Sequence, residues 1–169
     1  MQADLSPVIA ATAQWLTRSF PASGGALAAA LCEVQARQAV TVAARLRYPT
    51  EMDVALVGLA GPGGAGRLDW VTGADGGDGA AGDAWRTWVD EVVASWAVCL
   101  LADPGLAGLA VTALTGGAGS AEFRRLVAPD ETDRRASALL RHPDLVGPVA
   151  GLHRPALLGR LDPDATLVR

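Results

Sequence analysis

Chemistry at neutral pH runs mostly on histidine, cysteine, lysine or carboxylates held in pairs. This chain has two histidines, two cysteines and no lysine. His142 and His153 lie eleven residues apart, each beside an arginine and a proline. That spacing is about three helical turns, but Pro143, Gly147 and Pro148 are expected to break any helix between them. A two-histidine metal site would also need a third ligand, for which Asp144 is the nearby residue of the right type. The pair reads instead as polar caps over short helices. Ser95, Ser120 and Ser137 can be matched on paper with a histidine and an aspartate, yet none sits in a nucleophile-elbow sequence. Asp90 and Glu91 are adjacent and point to different sides of a helix, so they make no glycosidase-type pair.

Two glycine-rich stretches invite ligand readings and decline them. Gly61-Pro62-Gly63-Gly64-Ala65-Gly66 matches the Gly-x-Gly-x-x-Gly string. The dinucleotide fingerprint needs a strand before it and a crossover helix after it. Only Arg67–Thr72 separates this loop from the next glycine-rich stretch, so it reads as a hairpin loop. Asp75, Asp78 and Asp83 lie in a second such loop, residues 73–83, without the alternate spacing or closing glutamate of a calcium loop. Cys32 and Cys99 lack metal-ligand spacing and read as small buried hydrophobes. Catalytic, cofactor-binding and metal-ligating residues are all expected to be absent.

The elements that hold these residues form one domain of 169 residues, half of them hydrophobic and 19% charged. The absence of lysine and asparagine is the codon signature of a GC-rich, actinobacterial-type genome. A net charge of −4 argues against nucleic acid as a partner. The charge is uneven: residues 1–119 carry 6 Arg and 11 acids, and residues 120–169 carry 8 Arg and 7 acids. The acidic start, Met1-Gln2-Ala3-Asp4, is unlike a secretory signal. Val92–Ala102 is too short to span a bilayer, and residues 104–121 contain too much glycine. A cytoplasmic protein with no membrane partner is expected.

Ser6-Pro7 opens a helix, with Val8, Thr12, Trp15, Leu16 and Phe20 at helical spacing. A second helix runs from Ala26 to about Gln38. Residues 39–72 then look strand-like. Val40, Val42, Leu46 and Tyr48 alternate with Arg45 and Arg47, Met52–Leu59 is an apolar run, and Leu68, Trp70 and Thr72 alternate again. They predict a three-stranded antiparallel meander, whose first strand could instead be the end of the second helix. Asp83 is the expected N-cap of one long helix, with Trp85, Trp88, Val92, Trp96 and Leu100 on its apolar stripe and Arg86, Asp90 and Glu91 opposite. From residue 104 onward, proline and glycine predict a bundle of short helices. The predicted fold is α+β and helix-dominated, in one domain: residues 1–83 hold helices plus meander, and residues 84–169 hold the Trp-rich helix and short-helix region.

The C-terminal end repeats itself. Leu140–Gly147 aligns with Leu152–Gly159 twelve residues on, sharing Leu, Pro, Leu and Gly. Pro104-Gly105-Leu106-Ala107-Gly108 repeats the core of it. Each copy puts proline at the first helical position and glycine at the end. Residues 136–169 resemble leucine-rich variant and HEAT-like helical repeats, through Arg141–Leu145, Pro155–Leu161 and Asp162–Arg169. The chain departs from their longer, regular period. The resemblance implies a stacked helical surface that binds other proteins.

These features point to a non-catalytic interaction or assembly module of a larger bacterial system. The alternative is a connector, terminator or cap of a phage-like or contractile particle, by analogy with helix–meander–helix units; an enzyme comes third. Arg134, Arg135, Arg141, Arg154 and Arg160 are the predicted partner-binding residues, facing an acidic or mixed protein surface. Leu139, Leu140, Leu145, Leu157 and Leu158 are expected to pack inward beneath them.

Overall fold

The computed structural model describes residues 4–74, 83–118, 121–162 and 164. About 75% of these are helical and none lies in a strand. The helices are α1 (Ser6–Ser19), α2 (Ala26–Arg47), α3 (Glu51–Ala60), α4 (Gly66–Thr72), α5 (Glu91–Ala102), α6 (Pro104–Thr115), α7 (Arg124–Val127), α8 (Glu131–Ala136) and α9 (Pro143–Leu161), with a 3-10 turn at Ala84–Trp88. The α+β expectation is therefore wrong: the fold is all-α.

The meander fails for a different reason in each of its segments. Residues 39–47 belong to α2, the hub that packs against α1, α5, α6, α7 and α8. Ala36, Ala39, Val40, Ala43, Ala44 and Leu46 are all buried. Their spacing is helical, but alanine, the best helix former, carries much of it. Counting only the branched side chains leaves a false period of two. At the second segment a capping box decides the matter. Thr50 Oγ1 accepts from the Asp53 N–H, and the Thr50 N–H donates to Asp53 Oδ2, both at 3.1 Å. At the third, Thr72 Oγ1 donates to the Leu68 carbonyl at 2.9 Å, a local bond within α4. The predicted hairpin loop is a helix–helix connection. A helix does open at Gly66, but α3 precedes it rather than a strand, so the dinucleotide context is missing.

The long Trp helix is also divided. Val89 and Asp90 are extended, and α5 starts only at Glu91, because the Asp90 carboxylate accepts from the N–H groups of Val92 and Val93 at 2.9 and 3.1 Å. Asp83, the expected cap, makes no side-chain cap bond. Asp75 and Asp78 lie outside the described residues. Trp96 is buried in the core, whereas Trp85 and Trp88 in the 3-10 turn are half-buried. Trp15 on α1 is the most deeply buried indole.

The C-terminal part is less fragmented than its prolines and glycines suggest. α6 runs for 12 residues, and α9 for 19 with a kink. The helix continues through Gly147 and Pro148, and breaks at His153, whose φ is −137°. Pro148 is tolerated because the carbonyl it leaves without a donor, that of Asp144, lies in the exposed first turn. Prolines do stand at the starts of α1, α6 and α9, as read from the sequence. Among the described residues no helix is long and apolar enough to cross a membrane.

Candidate interaction surface

Most of the polar side chains that sequence singles out are consumed inside the fold. Ser95, on buried α5, donates to the Ala150 carbonyl at 3.1 Å and accepts from the His153 N–H at 3.0 Å. Trp96 Nε1–H donates to the His153 carbonyl at 3.0 Å. These bonds satisfy backbone groups that the α9 kink frees from the helical ladder. The His153 ring turns the other way: its Nε2 lies 2.6 Å from Glu91 Oε1, which also takes Arg67 at 3.2 Å. Serine, histidine and glutamate thus sit together, but the serine bonds the histidine backbone and not its ring. The arrangement fixes the kink and lacks the base–nucleophile contact of a triad. His142 is exposed at the start of α9 and makes no side-chain cap bond. Among the described residues no group of three His, Cys, Asp or Glu side chains could hold a metal ion.

Two further networks lie deeper. Asp69 accepts from Trp15 Nε1–H at 2.9 Å and pairs with Arg86, and the Arg86 and Arg18 guanidiniums lie over the Trp85 ring. Asp90 accepts from the Tyr48 hydroxyl, while its own N–H donates to Thr12 Oγ1 at 3.2 Å. Burial, then the Asp90 hydrogen bond and charge, raise the Tyr48 hydroxyl well above the ordinary tyrosine value. Burial likewise raises the thiols of Cys32 and Cys99, against the pull of Arg141 and Arg154.

The predicted arginine surface divides. Arg134, Arg135, Arg154 and Arg160 are exposed. Arg135 pairs with Glu131 at 3.0 Å, one turn earlier on α8. Arg141 turns inward. It donates to Gln35 Oε1 and the Leu101 carbonyl at 2.8 Å, and to Ser137 Oγ and the Arg125 carbonyl at 2.9 Å. Burial pushes its guanidinium down to about 10, still charged at neutral pH. Arg141 joins α2, α5 and the turn after α8, so it is a structural residue and is not free for a partner. The leucines divide as well: Leu140 and Leu157 are buried, but Leu139, Leu145 and Leu158 are exposed. Leu139 and Leu145 line a cleft of about 450 Å³ with Phe20, Val71 and Pro148.

The feature that sequence reading missed is α3. This ten-residue helix has no buried residue. Met52, Leu56 and Leu59 are 69%, 56% and 87% exposed, and Trp70 on α4 is 82% exposed. Met52, Leu56 and Leu59 stand at i, i+4 and i+7, one stripe of a helix. Val54 and Val57 are half-buried, and Val57 packs against the core. Asp53, in the first turn, has its carboxyl lowered first by the Thr50 hydroxyl and backbone N–H, with smaller help from Arg160 and Arg47. Arg160, at the end of α9, thus stands at the N-terminal end of α3. The i, i+4, i+7 spacing and the Thr50–Asp53 pair were both visible in the sequence, but Met52, Val54 and Leu56 also fit an alternating pattern. Beyond α3, a cleft of about 250 Å³ lies where its end meets the 3-10 turn, lined by Gly58, Leu59, Pro62, Thr87 and Trp88 among others.

Comparison of the chain with protein-family models, with curated proteins and with solved structures returns no match.

Proposed function

We propose that this chain is a non-catalytic protein-interaction module of a larger bacterial system, and that it docks through α3. The observation that carries this reading is the outward stripe of Met52, Leu56 and Leu59 on a helix that buries none of its residues. Helices presenting i, i+4 and i+7 anchors are a recurring way to fill an apolar groove on another protein. Arg47 and Arg160 act on the first turn beside Glu51 and Asp53, so that end of the stripe has a rim of mixed charge, which favours a mixed polar edge on the partner. Arg134, Arg135 and Arg154 remain candidate contacts of the same kind at other points of the surface. The particle-component reading loses its ground, because it rested on a meander that is absent among the described residues.

The test is affinity capture from native lysate with the wild-type chain and with Leu56→Arg. Leu56 is exposed, so the variant should melt with the wild type. Loss of the captured proteins supports docking through α3. Retention of the same set would move the site to the exposed arginines or to the cleft between Phe20 and Leu145.

A further inference from the structure

We infer that the arginines gathered on α7 and α8 form a binding site for a phosphoryl dianion, with Arg124, Arg125 and Arg134 as its contacts. The site makes no use of α3, so it and the docking helix stand or fall separately. Four arginines surround one carboxylate there. Asp133 is fully buried and pairs with Arg125, while Arg124 Nη2 stands 4.0 Å from its other oxygen. Arg141 donates through Nη2 to the Arg125 carbonyl at 2.9 Å, and Arg134 follows Asp133 directly on α8. The charge of Arg134 reaches Arg141, whose guanidinium is lowered first by burial and, against the pull of Asp133, by that neighbour.

The cluster stays positive once every charge around it is included. Besides Asp133, its own segment carries Asp130 and Glu122. The Asp130 carboxylate caps α8 and accepts from the Asp133 N–H at 2.8 Å. Glu122 is exposed on the turn before α7 and pairs with none of the four arginines. Glu131 and Arg135 satisfy each other at 3.0 Å. From α2, packed against α7 and α8, come the uncharged Gln35 and Gln38 and the closed pair of Glu33 and Arg37. The helix α6, packed against α7, has no charged residue, and its cap Asp103 is taken by the Leu106 N–H at 3.1 Å. Four arginines thus face three carboxylates, in a chain whose net charge is −4. Arg124 and Arg134 are exposed, and among the described residues neither has a carboxylate within hydrogen-bond distance.

The donors select the ligand. Asp133 holds one Nη of Arg125, and Arg141 anchors the carbonyl of the same residue, so the Arg125 fork is oriented before anything binds. A guanidinium carries its N–H donors in a rigid plane, and the buried carboxylate uses few of them. Three such forks, from two helices, offer more donors than the two oxygens of a carboxylate can take. A phosphoryl monoester presents three acceptor oxygens and nearly two negative charges. It also pairs with arginine forks bidentately. A free phosphate and a phosphorylated side chain of another protein share this chemistry.

The experiment is an NMR titration of the full chain, labelled with nitrogen-15, at low salt, where exposed charges are least screened. Inorganic phosphate at about pH 8, where it is mainly dianionic, should move the backbone amides of residues 123–136 along saturable curves and leave those of α1 and α3 in place. Acetate and dimethyl phosphate, each with a single charge, should bind at least about fivefold more weakly. Arg124→Gln and Arg134→Gln should each weaken phosphate binding by about five- to tenfold, and the double variant should abolish it. Both side chains are exposed, so all variants should melt with the wild type. A peptide with one phosphothreonine among uncharged residues separates the sources. Tighter binding than inorganic phosphate assigns the site to a phosphorylated protein, and equal or weaker binding assigns it to a free phosphate. Shifts that scatter over the surface or never saturate would overturn the inference, as would either monoanion binding as well as phosphate. So would a double variant that melts normally and still binds phosphate. The monoanion comparison needs only the wild type and decides even if a variant fails to fold.

Discussion

Arg141 and Gln35, 106 positions apart in sequence, meet in the interior at 2.8 Å through Nε–H and Oε1. Gln35 in turn donates through Nε2 to the Asp133 carbonyl at 2.9 Å and accepts from Ser137 Oγ at 2.8 Å. Asp133, fully buried, pairs with Arg125. The cluster binds α8 and the turn behind it to the central helix, and no buried side-chain polar atom among the described residues lacks a partner. A network of this kind is costly to break, because each deletion leaves desolvated groups unpaired.

Arg141 and Arg154 should therefore behave differently, although their sequence contexts are alike. Arg141→Ala strands the carbonyls of Leu101 and Arg125 and should cost about 3 kcal/mol. Arg154→Ala removes an exposed side chain and should stay within about 0.5 kcal/mol. Urea denaturation followed by tryptophan fluorescence reads both. Equal losses would contradict the structural role given to Arg141.

At the α9 kink, Ser95→Ala removes one acceptor and one donor from the buried contact with Ala150 and His153. The predicted loss is about 1–3 kcal/mol. Trp96→Phe removes the bond to the His153 carbonyl and should weaken the same junction. The paired variant should fall short of additivity, because both changes act on one kink. A double-mutant cycle showing full additivity would mean that the two bonds hold independent parts of the fold.

What the sequence revealed follows from how local each signal is. Proline in the first helical turn and a strong apolar period sufficed for α1, where Pro7 and Trp15 pointed the right way, although the helix starts at Ser6 itself and Leu5, without a side-chain cap bond, stands before it. The middle of the chain was misread because alanine packing in α2 and the alternation of Met52, Val54 and Leu56 both mimic a strand. No local rule shows that Asp90 will take the cap that Asp83 was expected to supply, since Asp90 also answers to Tyr48 and Thr12 from distant helices. Arg141 shows the same limit in the candidate site. Its neighbours in sequence resemble those of Arg154, and only the approach of Gln35 from α2 turns it inward. The exposed stripe on α3 depends on an absence, the lack of a covering element, and sequence periodicity does not report an absence.

Tyr48 gives a spectroscopic check on the α2–α5 junction, because it is the one tyrosine in the chain. Its hydroxyl is raised in the folded state, so folding favours the neutral phenol. That contribution is complete below the unfolded tyrosine value, about pH 10, and is lost as pH climbs from there toward the raised folded value. Tyrosinate absorbance should lag behind that of free tyrosine, and should appear together with the loss of helical circular dichroism. Tyr48→Phe should abolish the absorbance change and make the protein less sensitive to alkali between those limits. Titration near pH 10 without unfolding would show that the Asp90 contact is not made in solution.

The cap of α3 is the last point at which stability and docking meet. Asp53 is half-buried, and its carboxyl is lowered chiefly by the two Thr50 donors. A carboxylate lowered in the folded state stabilises above the ordinary aspartate range and stops doing so as pH falls through the lowered value. Amide exchange across Glu51–Ala60 should therefore be protected at neutral pH, and the protection factors should drop below about pH 4 while those of α2 and α5 persist. Asp53→Ala and Thr50→Val should each reproduce the loss at neutral pH. The double variant should be no worse than either, since both remove the same reciprocal pair. An α3 equally protected with and without Asp53 would mean that the packing of Val57 against the core, and not the capping box, holds the helix that carries the stripe of Met52, Leu56 and Leu59.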